Sequence, residues 1–145
     1  MSPQINKQLV RKSFGKRLFS YANHAVVQAS MADDLVWQLR EAHPDAFGRV
    51  LEIGCGSGML TAAFLKRFQV ESYYANDLVE DCRYEVASIL KQHPGSRFTF
   101  VGGDIEQVSA LPEYVDVIIS NATFQWLNNL PEFFPRLRQH LRPGG

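Results

Sequence analysis

Two rhythms of hydrophobic and polar positions alternate along the chain. Residues 4–14 and 23–42 carry a helical pattern. In the second stretch Ala25, Val26, Ala29, Ala32, Leu35, Val36 and Leu39 form one stripe and leave Asp33, Asp34 and Arg40 for solvent, the three- and four-residue repeat of an amphipathic helix. Gly15 and the aromatics Phe19 and Tyr21 lie in the break between the two. From Arg49 the rhythm changes. Arg49–Ile53 reads as a buried strand, a glycine-rich turn follows, and a helix is expected from about Ser57 to Phe68 with Leu60, Ala63, Phe64 and Phe68 on one side. Residues 71–76 (ESYYAN) predict a second strand, 81–92 a helix, and 97–101 (RFTFV) a third strand. Residues 115–120 (VDVIIS) predict a fourth, apolar enough for burial on both faces. A last helix, about 131–141, opens on Pro131, a good first-turn residue, and meets Pro135, which weakens its N-terminal half.

Strands alternating with helices imply an α/β fold with a parallel sheet. After Leu141 comes R-P-G-G, a turn that should lead into a further strand. A four-strand open sheet ending there reads as the N-terminal part of a longer enzyme.

Composition narrows the function classes. The 145 residues suffice for one domain, and the longest apolar stretches fall far short of the ~20 residues of a membrane span. The N-terminus lacks the apolar core of a signal peptide. Two cysteines, Cys55 and Cys82, are too few for a disulfide framework and stand in no metal-ligand spacing; a cytoplasmic chain without a metal is expected. Net charge is zero, so nothing demands nucleic acid. The charge is nevertheless uneven. Residues 1–32 hold Lys7, Arg11, Lys12, Lys16 and Arg17 and no acid, whereas the remainder carries 10 bases against 15 acids.

The glycine turn, E-I-G-C-G-S-G at 52–58, holds the main chemical clue. Glycine inside an ordered segment costs roughly 0.5–1 kcal/mol relative to alanine, so Gly54, Gly56 and Gly58 suggest a sharp turn or a close approach. A strand–glycine turn–helix unit offers free backbone N–H groups and a helix N-terminus to a ligand. A dinucleotide fingerprint needs its third glycine one place later, where Met59 stands, and no Walker Lys follows. Glu52, expected at the mouth of the turn, would repel a pyrophosphate and suit an ammonium group. Asp77 ends the second strand, where an acid can accept from both ribose hydroxyls. Asp104 follows the third strand, placed to meet an adenine amino group. All lie at carboxyl ends of strands, the ligand side of open α/β sheets. An adenosine end, a cationic amino-acid end and no phosphate describe S-adenosylmethionine.

With E-I-G-C-G-S-G, N-D-L, G-G-D-I and S-N-A-T-F-Q-W-L, residues 49–145 resemble a class I S-adenosylmethionine-dependent methyltransferase. The resemblance implies a Rossmann-like open parallel sheet, truncated here after the fourth strand and its helix. It divides the chain into an N-terminal helical covering segment, 1–48, and the first part of the cofactor-binding domain, 49–145. The N-terminal I-N-K-Q-L-V-R-K-S-F-G and Y-A-N-H-A-V-V-Q are similar to the malonyl-acyl-carrier-protein O-methyltransferases of biotin synthesis, which esterify the free carboxylate of a malonyl thioester. By that resemblance Glu52, Gly54, Gly56 and Gly58 cradle the methionine end, Asp77 holds the ribose with Leu78 beside the adenine, and Asp104 and Ile105 meet the adenine edge. Asn121 lies near the methionyl amino group and the reacting methyl, with Tyr21 as its catalytic partner. His24, Gln28 and Trp126 cover the substrate.

The implied reaction needs little apparatus. A malonyl carboxylate is ionised at neutral pH and needs no general base. In-line positioning, for which effective molarities reach about 10⁵–10⁸ M, and a dry pocket remain. Phe14, Phe19, Tyr21, Phe124 and Trp126 are candidate walls. Another small-molecule methyltransferase, a nicotinamide-dependent dehydrogenase (disfavoured by Met59 and Glu52) and a truncated, non-catalytic cofactor-binding module stand as alternatives. Two further expectations follow. The fourth strand, lacking a fifth, is an apolar edge open to self-association. The bases Lys7, Arg11, Lys12, Lys16 and Arg17 form a candidate dock for an acidic acyl carrier protein.

Overall fold

The computed structural model describes residues 3–17, 22–42 and 45–145. Helices α1 (Lys7–Arg17) and α2 (Ala22–Ala42) precede the alternating part: β1 (Ala46–Ile53), α3 (Met59–Arg67), β2 (Gln69–Asp77), α4 (Cys82–Leu90), β3 (Arg97–Gly102), β4 (Val117–Ser120), a 3-10 turn at Phe124–Trp126 and α5 (Leu130–Arg138). The four strands form one sheet in the order β3-β2-β1-β4, with every pairing parallel. The order changes direction at β1, and the ligand crevice of such sheets lies beside that switch point.

Strand periodicity organises the core. On β1, Val50 faces a cluster with Ala32 and Val36 of α2, Phe64 and Leu65 of α3, and Val86 and Leu90 of α4. Leu51 and Ile53 face the opposite cluster, formed with Ile105, Leu111, Val115, Leu127 and α5 residues Phe133 and Leu137. The sheet is thus covered on both sides, which explains why residues on both faces of β1 from Val50 to Ile53 are apolar, Glu52 excepted.

Several boundaries differ from those read in the sequence. β1 starts at Ala46 because Ala46 and Phe47 pair with Gln69 and Val70 of β2, so a division at residue 48 cuts a strand. β4 is shorter than 115–120. It lies at the sheet edge, pairs only with β1, and is half-buried apart from Ile119; burial on both faces needs a neighbour on each side. Ahead of it, Val115 meets Leu141 in an isolated parallel bridge. The Val115 N–H donates to the His140 carbonyl at 2.9 Å and the Arg142 N–H to the Val115 carbonyl at 3.0 Å. α1 continues through Gly15 to Arg17. On α2, Val26 is 71% exposed and lies off the buried stripe of Ala32 and Val36. α5 runs through Pro135 and stops at Arg138, with Asn129 as its N-cap accepting from Glu132 N–H at 3.4 Å.

Candidate functional site

The glycine turn leaves β1 at Ile53. The N–H groups of Gly54 and Cys55 both donate to the Asn76 carbonyl, at 2.8 and 2.9 Å, so the turn begins as a continuation of the ladder. All three glycines have positive φ, 71° at Gly54, 52° at Gly56 and 86° at Gly58, a region costly for other residues. Their surroundings separate them. A Cβ on Gly54 would lie 2.0 Å from Thr123 Oγ1, and one on Gly58 2.4 Å from Ile89 Cδ1; both serve close packing inside the protein. A Cβ on Gly56 would meet nothing within 4 Å. Gly56 is the glycine whose open side faces a potential ligand.

Asp77 sits across from it. Asp77 Oδ2 accepts from Gly56 N–H at 2.8 Å and Oδ1 from Val79 N–H at 2.9 Å. Burial raises its pKa, and the backbone donors at Val79 and Gly56 work against that rise. The Leu78 N–H and the Cys82 thiol also donate to this carboxylate, whose oxygens have two acceptor sites each. Leu78, next in sequence, is half-buried. Asn76, buried below, donates from Nδ2 to the carbonyls of Val101 (2.8 Å) and Gly103 (3.0 Å). That side chain ties the exits of β2 and β3 together.

At the exit of β3, Asp104 Oδ1 accepts from Glu106 N–H at 3.1 Å. Ile105 is buried in the second core cluster, and its carbonyl accepts from the Arg136 guanidinium. Asn121 follows β4 and donates from Nδ2 to the Gln28 carbonyl of α2 at 3.4 Å, which joins two predicted site residues. Ala122 has φ 56°, reversing the chain so that Thr123 Oγ1 returns to the Ile53 carbonyl at 3.3 Å. Trp126 is 38% exposed and meets Phe14 of α1 edge-on, with ring centroids 5.5 Å apart. Tyr21 and Phe19 lie outside the described residues, as do the side chains of Arg17 and His24.

Two expectations are corrected. Glu52 is not an open acid at the mouth of the turn. Strand alternation places it on the Val50 side, under α3, where it is 1% exposed. Its Oε2 accepts from Thr61 Oγ1 at 2.6 Å and Tyr73 Oη at 2.5 Å. Burial pushes its pKa up to about 7, against the two hydroxyl donors and with help from the nearby charge of Asp77. Lys7 is not a free docking cation either. Its Nζ lies 2.8 Å from Glu106 Oε2 and 3.4 Å from Asp104 Oδ1. Burial opposes ionisation of Glu106, yet Lys7 and the N–H groups of Asn128 and Asn129 outweigh it and hold its carboxyl below the usual range. Arg11, Lys12 and Lys16 remain exposed.

Sequence reasoning passed over Glu106, Asn128 and Thr123. Glu106 was legible only as the acid two residues after Asp104; Asn128 and Thr123 acquire meaning through partners distant in the chain. Among the described residues no group of three or more His, Cys, Asp or Glu side chains is arranged to hold a metal ion. None of the described helices is long and apolar enough to cross a membrane.

Residues 50–145 match the family described as "Methyltransferase domain". A curated malonyl-[acyl-carrier protein] O-methyltransferase of Chlorobium luteolum is 47% identical over 146 residues, covering 100% of this chain and 56% of the relative. One of Priestia megaterium is 40% identical, covering 97% of this chain and 50% of the relative. The chain therefore spans about half the length of the curated relatives it matches. Among solved structures, the N-methyltransferase NodS of Bradyrhizobium japonicum, in complex with S-adenosyl-L-homocysteine, superposes with a TM-score of 0.74 at 18% identity. It covers 93% of this chain and 69% of that one. A Methanococcus maripaludis protein described as an S-adenosyl-L-methionine-dependent methyltransferase gives 0.64 at 20% identity, covering 100% and 63%. The chain shares its overall fold with these solved structures, and it belongs to the methyltransferase domain family.

Proposed function

We propose that this chain is the cofactor-binding portion of a cytoplasmic enzyme that methylates the free carboxylate of a malonyl thioester carried on acyl carrier protein, in biotin synthesis. The observation that carries the reading is the identity of 47% to a curated malonyl-[acyl-carrier protein] O-methyltransferase across the whole chain. The site's chemistry supports S-adenosylmethionine as the cofactor. Gly56 leaves open space beside the turn, the Asp77 carboxylate accepts from its N–H at 2.8 Å, and Asp104 stands at the next strand exit. No polyphosphate-binding Lys or Arg accompanies the glycine turn.

In this reading Gly54, Gly56 and Gly58 shape the cradle for the methionine end. Glu52 acts from below, bracing the turn through Thr61 of α3 and Tyr73 of β2 rather than by open contact. Asp77 accepts from the ribose hydroxyls, Leu78 flanks the adenine, and Asp104 and the Ile105 backbone meet its edge. The cofactor, when bound, supplies a methyl group activated by a sulfonium centre. The protein's task is to align an already ionised carboxylate and exclude water. Asn121, held against α2 at Gln28, orients groups at the β4 exit. Phe14 and Trp126 wall the entrance, and Tyr21, His24 and Gln28 belong to the covering segment that precedes β1. Arg11, Lys12 and Lys16 form a cationic face for the acidic carrier, with Arg17 next to them in sequence; Lys7 is committed elsewhere.

Transfer of radiolabelled methyl from S-adenosylmethionine to malonyl-acyl carrier protein, measured with a full-length protein carrying this chain, tests the reading. Labelling of the malonyl thioester and not of an acetyl thioester is expected. Transfer to neither, with cofactor binding intact, overturns the substrate assignment. The 145-residue chain alone is expected to turn over slowly or not at all and to self-associate along β4, observable as oligomers in light scattering.

A further inference from the structure

The segment leading into α1 is fixed twice to one patch of the carboxyl-end surface. Asn128 Oδ1 accepts from Ile5 N–H at 2.7 Å, and Asn128 Nδ2 donates to the Ile5 carbonyl at 3.2 Å. Two residues on, Lys7 bridges Glu106 and Asp104, with all three side chains less than one-fifth exposed. Glu106 in turn accepts from the N–H groups of Asn128 (2.9 and 3.0 Å) and Asn129 (2.8 Å). Ile5, Lys7, Glu106 and Asn128 are thus one connected anchor.

From that anchor α1 crosses the ends of the strands. Phe14 packs on Trp126 after β4, and a Cβ on Gly15 would lie 4.0 Å from Val79 Cγ1 after β2. The helix touches the loops that follow β2, β3 and β4, next to Asp77 at the end of β2 and on the same loops as Asp104 and Trp126. It is a strap over the crevice, anchored at its N-terminal end. The two carboxylates of the anchor are unequal partners. Lys7 is at full ion-pair distance from Glu106, and it makes only a long contact with Asp104, the side chain read above as the acceptor for an adenine amino group.

We propose that Lys7 is the latch of this strap: an incoming adenosyl ligand takes Asp104 over from its ammonium, and Lys7 stays on Glu106 to keep the strap closed. The proposal rests on the adenosyl reading of the site. It makes Lys7 a positioning residue, with a kinetic signature that a direct ligand contact lacks. A latch must open for entry as well as exit, so its loss raises both rates together and leaves their ratio nearly unchanged.

S-adenosylhomocysteine is the probe, followed by stopped-flow fluorescence on this 145-residue chain in a Trp37→Phe background, where Trp126 is its remaining tryptophan. Lys7→Met should raise the association and dissociation rates each about five-fold, the effect of removing a partly shielded ion pair, with the dissociation constant changed less than three-fold. Lys7→Arg should keep the slow rates. Glu106→Gln, which retains an acceptor for Asn128 and Asn129 but leaves Lys7 on Asp104, should raise the dissociation rate as Lys7→Met does, and the double variant should dissociate no faster than Lys7→Met. Unchanged rates in Lys7→Met overturn the latch; so does weaker binding through dissociation alone, which would make Lys7 a ligand contact. Hydrogen exchange of residues 5–17 without ligand gives an independent reading. Protection lost in Lys7→Met and kept in Lys7→Arg supports the latch, and equal protection in all three overturns it. Asp104→Asn with undiminished affinity would instead remove the adenosyl reading itself.

Discussion

Replacing Glu52 by glutamine tests what an acid is doing in the core. Its carboxyl is 1% exposed, with Oε2 receiving the hydroxyls of Thr61 and Tyr73, and burial raises its pKa from 4.5 to about 7. The folded chain therefore binds this proton more tightly than the unfolded chain. The stability it confers is complete below the unfolded value near 4.5 and is lost as pH rises through about 7. One pKa unit corresponds to about 1.4 kcal/mol. Across the interval from pH 5 to pH 8 the wild-type chain should lose about 2–3 kcal/mol to ionisation of this single group. Glu52→Gln keeps a carbonyl acceptor for both hydroxyls and cannot ionise. Its absolute stability includes the cost of placing an amide NH₂ there, so the informative quantity is the difference in pH dependence. Urea denaturation of both proteins at pH 5, 6, 7 and 8, without cofactor, measures it. The wild-type midpoint should fall steeply with pH and the variant's should stay much flatter. Parallel curves would refute the assignment and mean that Glu52 is ionised throughout this range.

Four other variants probe the crevice and its entrance. Gly54→Ala forces a Cβ to 2.0 Å from Thr123 Oγ1 at φ 71° and should cost about 2–4 kcal/mol in denaturant unfolding; Gly56→Ala, facing open space, should cost only about 1 kcal/mol while weakening cofactor binding. Equal losses of stability would mean that Thr123 yields easily. Asp77→Ala should weaken S-adenosylmethionine binding by roughly 1.5–3 kcal/mol, measured by calorimetry on folded variant, and an unchanged affinity would take Asp77 out of the site. Lys12 and Lys16 lie one turn apart on α1, beside Leu9 and Ser13. Reversing both to Glu in a full-length protein should raise KM for malonyl-acyl carrier protein by about three- to ten-fold at low salt. A small malonyl thioester should be nearly unaffected; equal effects on both substrates would return these lysines to the solvated surface.

The sequence by itself determined the order and type of the elements, because helix and strand periodicities are local: three- and four-residue steps on α2, apolar runs for β1 and β4. It also marked the glycine turn, Asp77 and Asp104 at strand exits, since a ligand-binding edge leaves its residues at predictable distances after each strand. Where the elements end was decided by pairing. Ala46 and Phe47 join β1 because Gln69 and Val70 lie opposite, and β4 shrinks to four residues because only β1 flanks it. The direction of Glu52 was latent in the alternation with Val50, but its partners come from α3 and β2, and their closeness depends on how those elements pack. Lys7 was least legible of all. As one base in an acid-free stretch it reads as solvated charge, and its ion pairs lie 97 and 99 residues away along the chain. No local pattern encodes a contact of that span; it exists because α1 is laid across the strand ends, which bring Asp104, Glu106 and Asn128 to one place.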